Sequence, residues 1–501
     1  MNDPVRIVLQ PLGQTLEVER GSPLQDVLFE FGVEFPCGGQ AACKGCRVKL
    51  LSGRLPATPD ERFILTPEEI ESGWRLACRS AAEEDLTLEI EQWETVILGD
   101  DRAFVFTPLE GLGVAVDLGT TTLVAQLVDL ASGHVLGVQS AVNPQVAHGG
   151  DVMSRVQFSL SGGGAAKLCG AIRDKVGELI GLLSPPAAIR DVVIVGNTVM
   201  HNLFCGIDAR PLSYDPFRPL GDGLEIFRGK DLGWSIEGDP RVRFLPCLGG
   251  FVGSDILAGV LATRMHESEA LSALIDLGTN GEIVIGNRER MVCASTAAGP
   301  AFEGGRIAAG MRAATGAISE VHVDEGRLRC HVIGHTEPRG ICGSGLVDAV
   351  AAGLDLGVIG ASGRLSGVES PWMLAPPVGL TQSDVRELQL AKAAIAAGVR
   401  ILVRRWGAEP RDVTSLHLAG AFGNYVSRGS ARRIGLIDFP LERVQPAGNT
   451  ALLGAKLALF SRDAGGFEQL RRRIEHIPLA ADPEFQDIYV EEMRFPEATA
   501  D

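Results

Sequence analysis

Four cysteines near the start of the chain limit its fold more than any other feature. They are Cys37, Cys43, Cys46 and Cys78, spaced C-x5-C-x2-C-x31-C. Three thiolates from one loop and a fourth arriving much later can wrap a cluster of two irons and two sulfides. The loop CGGQAACKGC carries Gly38, Gly39 and Gly45. These permit close backbone approach and let amide N–H groups point at sulfur. Zinc is the competing occupant, but zinc sites usually draw on paired C-x2-C knuckles, and these four cysteines contain a single such pair.

The flanking segments supply a frame for that loop. RIVLQPL and QTLEVER alternate as a hairpin, and Pro23–Phe31 predicts a short helix. RVKLLSG and LTLEIEQ follow the loop as strands. This order over residues 1–92 resembles a β-grasp ferredoxin. The five-residue first gap, one longer than the plant-type spacing, is similar to that of adrenodoxin-like and activator-type ferredoxins. Ala41 stands where such loops usually carry glycine, which predicts a slightly different local backbone.

At 501 residues the chain exceeds a single hydrophobic core. A formal net charge of −17 opposes a nucleic-acid partner and an anionic membrane surface. No run approaches the roughly 18 apolar residues of a spanning helix, and the N-terminus lacks a secretory pattern. Cys169, Cys205, Cys247, Cys293, Cys330 and Cys342 are scattered singly, as expected of small buried hydrophobes in a reducing cytoplasm. Cys293 and Cys342, beside small residues, are also candidates to line a site. The tail Pro496–Asp501 is expected to be disordered.

Beyond a connector at 93–112, one theme appears twice. VAVDLGTTTLVAQLVDL (114–130) and ALIDLGTNGEIVIGN (273–287) both run strand, Asp-Leu-Gly-Thr turn, strand. Such a turn offers N–H groups and a hydroxyl to a phosphate, while its aspartate can face a metal. Recurrence at domain spacing predicts two similar halves, 113–268 and 269–501, facing each other across a cleft. Thr381 and Asp384 form a capping-box pattern ahead of a helix whose face Val385, Leu388, Ala391, Ile395, Val399 and Leu402 is expected in the core. The absence of G-x-x-x-x-G-K-[ST] argues against a P-loop ATPase.

These motifs resemble the superfamily of acetate and sugar kinases, Hsp70 and actin. DLGTTT is similar to its first phosphate motif, DLGTNGE to its second, and LHLAGAFGNYV (416–426) to its adenosine motif. VVIVGNTVMHNLFCG (192–206) and ALLGAKLAL (451–459) fall where connecting elements belong. The resemblance implies two RNase H-like α/β halves that bind ATP with Mg²⁺. It assigns Asp117, Gly119, Thr120 and Thr121 to metal and terminal phosphates, with Asp276, Gly278, Thr279 and Asn280 opposite. Gly420, Ala421 and Gly423 would lie along the adenosine. Asp255 and Glu303 are candidates to orient water or metal, against a surface or helix-capping role for each.

The order of ferredoxin-like unit, connector and paired halves resembles the ATP-dependent reductive activators of corrinoid proteins, over essentially the whole chain. NPQVAHGGDVMSRV (143–156), VGNTVMHNLF (195–204), STAAGPAFEGGRI (295–307) and PRGICGSGLVDAV (338–350) carry the more particular likeness. The resemblance implies transfer of one electron from the 2Fe–2S cluster to Co(II), regenerating Co(I) with ATP assisting. A plant-type cluster sits near about −400 mV and Co(II)/Co(I) lies lower. Each ~100 mV of uphill gap costs roughly 2.3 kcal/mol per electron, a sum within reach of ATP hydrolysis. The implied partners are a corrinoid protein of a methyltransferase system, or methionine synthase, and a low-potential electron donor. A small-molecule kinase with a redox-sensing ferredoxin unit and a nucleotide-switched electron-transfer protein are the rival readings. The donor, and the choice between monomer and homodimer, stay open.

Overall fold

Alternating apolar residues build the N-terminal sheet. β1 (Pro4–Gln10) buries Val5, Ile7 and Leu9 and pairs antiparallel with β2 (Gln14–Glu19). α1 (Leu24–Phe29), β3 (Arg47–Ser52), β4 (Trp74–Leu76) and β5 (Leu86–Glu89) complete the unit. The sheet order is β2-β1-β5-β3-β4, with Leu24 and Leu28 of α1 in its core. This is the β-grasp arrangement expected. The helix starts at Leu24 because Pro23 is still paired with Ala81 in a short bridge of strands. The computed structural model describes residues 4–10, 14–29, 33, 41, 46–89, 106–120, 122–149, 151–183, 185, 187–278, 280–311, 313, 316–333, 336–367, 370–461 and 464–497. Cys37, Cys43, Thr121, Thr279, residues 93–105 of the connector and residues 498–501 lie outside the described residues.

The two predicted halves share the topology of a five-stranded core and differ in which edge carries the sixth strand. In the first, β6 (Leu112–Leu118), β7 (Thr122–Asp129) and β8 (Val135–Val142) form an antiparallel meander. β9 (Ile189–Val195) lies parallel to β6, then β11 (Arg241–Phe244) parallel to β9, with β10 (Glu225–Arg228) at the edge. In the second, β12 (Ser272–Leu277), β13 (Gly281–Gly286) and β14 (Met291–Thr296) repeat the meander. β15 (Ser415–Ala419) and β16 (Val444–Gly448) continue it in parallel, and β17 (Ile474–His476) flanks β14. The orders are β8-β7-β6-β9-β11-β10 and β16-β15-β12-β13-β14-β17. The central strands read as continuous apolar runs because both faces are covered.

Helices cover these sheets and lock the halves together. On the first sheet lie α2 (Val152–Ser159), α3 (Gly164–Leu182) and α4 (Thr198–Cys205). The second is covered by α6 (Gly343–Asp355) and α7 (Gln382–Trp406). α7 starts at the Thr381–Asp384 capping box, and its predicted apolar face is buried. Between the halves, α5 (Ser254–Thr263) crosses α9 (Thr450–Leu459) at close range. A Cβ on Gly454 would stand 2.1 Å from the Ala258 carbonyl oxygen, so glycine there sets the separation. Their shared core joins Ala115 and Val193 of the first sheet to Leu274 and Ala419 of the second.

Three expectations change in detail. Residues 106–111 already pack on both halves: Phe106 meets Phe460 of the second at 4.4 Å, and the Leu109 N–H donates to the Leu130 carbonyl of the first. The tail is anchored further than expected, since Arg433 donates to the Pro496 carbonyl at 3.0 Å. Cys293 and Cys342 are core residues, 0% and 3% exposed. Among the described residues no helix is long and apolar enough to cross a membrane.

Candidate functional site

The two Asp-Leu-Gly turns close the β6–β7 and β12–β13 hairpins. In the first, the Gly119 N–H donates to the Thr122 carbonyl at 3.1 Å; in the second, Gly278 donates to Asn280 at 3.0 Å. Asp117 and Asp276 stand one residue before the ends of β6 and β12. Asn449, the N-cap of α9, donates to Asp117 Oδ2 at 3.1 Å while accepting from the Leu452 N–H at 2.9 Å. One amide therefore caps the connecting helix and fixes the first aspartate. Asp255 enters from the first turn of α5, whose start is clamped by Ser254 on Gly196.

A fourth carboxylate completes the cluster. Glu282 is the cross-strand partner of Asp276 in the β12–β13 hairpin and accepts from the Ser295 hydroxyl at 3.3 Å. Each of the four retains some open area, yet protein surrounds them densely enough to penalise charge. Burial pushes the Asp117 carboxyl up to about 6, opposed by the Asn449 hydrogen bond. Asp276 rises to about 7 through burial and the neighbouring Asp117. Asp255 also reaches about 7, through burial and then repulsion from Asp276 and Asp117. Glu282 is pushed well above the carboxylate range by burial, Asp255 and Asp276. Such mutual repulsion fits a site that receives a cation. Glu303, in contrast, is exposed at the end of a 3-10 turn, Pro300–Glu303.

Oxygen donors of this kind suit Mg²⁺. Among the described residues, no three His, Cys, Asp or Glu side chains converge closely enough to hold an ion by themselves. Mg²⁺ commonly takes only one or two protein carboxylates and completes its shell with water and substrate phosphates. The donor set fits that mode.

The adenosine-like motif meets the second hairpin directly. β15 runs into a short helix, α8 (Gly420–Tyr425). Gly420 has φ +82°, and a Cβ there would lie 2.5 Å from Asp276 Oδ1, so only glycine fits. Phe422 stacks on Phe302 at 4.6 Å, and Gly423 is buried over Leu418. The side chain of Ala421 lies outside the described residues. Gly343 abuts both the Phe302 carbonyl and Phe422. STAAGPAFEGGRI and PRGICGSGLVDAV thus brace the motif. NPQVAHGGDVMSRV and VGNTVMHNLF do the same for the first hairpin, where Asn197 donates to Thr120 Oγ1 at 2.9 Å.

In the N-terminal unit, the β3–β4 pairing places Cys46 and Cys78 together. Arg47 is in register with Leu76, and the Ala77 N–H donates to the Cys46 carbonyl at 2.9 Å. Both cysteines are buried in the apolar core, 0% and 8% exposed. Ala41 has φ +54°, the left-handed region that glycine enters without penalty. At this position the backbone is glycine-like although the residue is not. A buried Cys46–Cys78 pair beside this turn fits half of a four-thiolate cluster site.

Sequence reasoning missed Glu282, Asn449, Asn197 and Arg155. Glu282 leaves a trace, as a lone acid opening the apolar strand GEIVIG. Asn449 leaves none, since 332 residues separate it from its partner Asp117.

Comparison with known proteins agrees with this layout. Residues 7–83 match the 2Fe-2S iron-sulfur cluster binding domain, 112–268 the RACo middle region, and 270–501 the C-terminal domain of RACo, the ASKHA domain. The chain is 36% identical over 437 residues to the corrinoid activation enzyme RamQ of Eubacterium limosum, covering 79% of this chain and 73% of that protein. It is 26% identical over 417 residues to the Co(II) methylated amine-specific corrinoid protein reductase of Methanosarcina barkeri, covering 76% and 77%. The solved structure of a reductive activator for corrinoid, iron-sulfur protein superposes with TM-score 0.69 at 27% identity, over 98% of each chain.

Proposed function

Because this chain belongs to the family of corrinoid activation enzymes, we propose that it restores an inactive corrinoid protein by ATP-dependent, one-electron reduction of Co(II) to Co(I). The carrying observation is the union, in one chain, of a buried cysteine pair in a 2Fe–2S-type unit with two opposed aspartate hairpins in a nucleotide-type fold. Cys37, Cys43, Cys46 and Cys78 would hold the cluster, which supplies a one-electron carrier. Asp117 and Asp276, with Asp255 and Glu282 behind them, would hold Mg²⁺ against the ATP phosphates. Thr120, Gly119 and Gly278 would contact those phosphates, and Gly420 and Gly423 the adenosine.

The physical requirement is coupling. An electron that must run uphill to Co(II) needs an input, and α9 is placed to transmit one. Its N-cap touches Asp117, and its body packs between the two sheets. A change at the phosphates can thereby move one half against the other. We assign the chain to the cytoplasm, from six scattered cysteines that form no disulfide, and take its partner to be the corrinoid protein of a methyltransferase system.

The test is anaerobic mixing of the chain with reductant, Mg-ATP and its cognate Co(II) corrinoid protein. The Co(I) absorption band should rise only with ATP present. Reduction independent of ATP, or a phosphorylated metabolite in its place, would overturn the reading in favour of a kinase.

A further inference from the structure

Arg155 is fully buried, at 0% exposure, beneath the first hairpin. Its guanidinium donates to the carbonyl of Thr120 at 2.6 Å and of Gly149 at 2.9 Å, and more weakly to Gln145 Oε1 at 3.4 Å. It makes no ion pair among the described residues. The acidic group acting on it is Asp151, exposed at the start of the same helix. Burial accordingly lowers its pKa to about 10. A buried cation that forms no ion pair is costly, so its retention points to an anion beyond the exposed Asp151.

A second donor works beside it. Asn143, also 0% exposed, donates to the Gly119 carbonyl at 2.9 Å while accepting from the Gln145 N–H at 3.0 Å. In a planar trans peptide the C=O and N–H point in opposite directions. With the Gly119 carbonyl drawn into the interior, the Thr120 N–H of the same peptide plane points out of it. A turn with its N–H groups outward is an anion cradle. Left unbraced, it could present carbonyl oxygens instead and repel the same anion.

We propose that Arg155 and Asn143 are positioning residues for the nucleotide's phosphates, holding two carbonyls of the first hairpin from behind so that its N–H groups face the anion. The terminal phosphates are then the counter-charge that Arg155 lacks, reached through the loop and not by contact. This rests on the reading that the hairpin binds a nucleoside triphosphate. It gives NPQVAHGGDVMSRV, which holds no residue predicted to bind the nucleotide, a function.

Binding of Mg-ATP, ADP, AMP and adenosine should be measured for the intact chain and for Asn143→Asp and Arg155→Met, with thermal melting of each. Asn143→Asp keeps the acceptor for Gln145 but cannot donate to Gly119. Both variants should hold adenosine as the parent does and lose roughly ten- to a hundredfold in affinity for the triphosphate. A parent whose affinity does not increase with phosphate number would sink the nucleotide reading itself. A parent that discriminates normally, with variants that keep the same ATP-to-adenosine ratio, would overturn the bracing role alone. If Arg155→Met fails to fold, Asn143→Asp decides.

Discussion

The two hairpins share a topology and an Asp-Leu-Gly-Thr turn, yet different groups pack against them. Behind the first stand donors: Asn143, Arg155 and Asn197 bond to Gly119 and Thr120. Beside the second stand acids: Glu282 is paired across the hairpin from Asp276, and Asp255 repels both. On the proposed reading, the braced N–H groups of the first hairpin face the anion, while Asp117 and Asp276 together with Asp255 and Glu282 face the cation. A repeated fold has been specialised by what packs against it, and ATP with Mg²⁺ brings both charges at once.

Removing either aspartate should do the most damage. Asp117→Ala and Asp276→Ala are each expected to lower ATP hydrolysis by roughly 10²- to 10³-fold, by analogy with loss of one preorganised electrostatic group. The ultraviolet-visible spectrum of the cluster should be unchanged. Equal hydrolysis in parent and both variants would dissolve the comparison.

Glu282→Gln separates the hairpins more finely. It keeps a partner for Ser295 and removes a carboxylate that a bound cation would draw into its charged form, so the Mg²⁺ concentration for half-maximal hydrolysis should rise about tenfold, the equivalent of one pKa unit of charge interaction. Adenosine affinity should stay the same. An unchanged Mg²⁺ requirement would mean that Glu282 is no part of a cation site. Asn449→Ser should act more mildly, since serine still caps α9. Losing the bond to Asp117 should cost roughly two- to tenfold in hydrolysis, and no loss would mean that Asn449 does not position Asp117 for the reaction.

The smallest effect is on stability. Asp276 titrates at about 7 in the folded chain, above its unfolded value near about 4. Its ionisation therefore opposes folding, with a penalty that grows as pH rises through that window and is complete above it. In nucleotide-free, metal-free protein, Asp276→Asn should raise Tm by on the order of a few degrees at pH 8. The gain should shrink toward pH 5. The same gain at both pH values would argue that repulsion among these acids is not the cause.

Local patterns made much of this legible. Strand alternation and the recurring Asp-Leu-Gly turn each report on adjacent residues, and the strands that carry them stand where the sequence placed them. What stayed hidden depends on contacts between distant segments. Asn449 reaches Asp117 only because α9 crosses back onto the first sheet. Arg155 reads as an ordinary helix residue until its burial under the hairpin is seen. Glu303, in AAGPAFEGG, is a candidate to orient water or metal by sequence, but the 3-10 turn exposes it while Glu282 turns inward. Ala41 corrects the rule in the other direction, since a non-glycine residue occupies the left-handed conformation that glycine would fill.

On the proposed function, cluster and nucleotide site are separate devices serving one electron transfer. Cobalt reduction and ATP hydrolysis should be followed together for the parent chain, Cys46→Ser and Asp117→Ala, with the same Co(II) corrinoid protein. Cys46→Ser should still hydrolyse ATP but form no Co(I). Asp117→Ala should keep a cluster that accepts an electron from dithionite, yet also form no Co(I). If Asp117→Ala reduced cobalt at the parent's rate, or Cys46→Ser did so without its cluster, the coupling proposed here would be wrong.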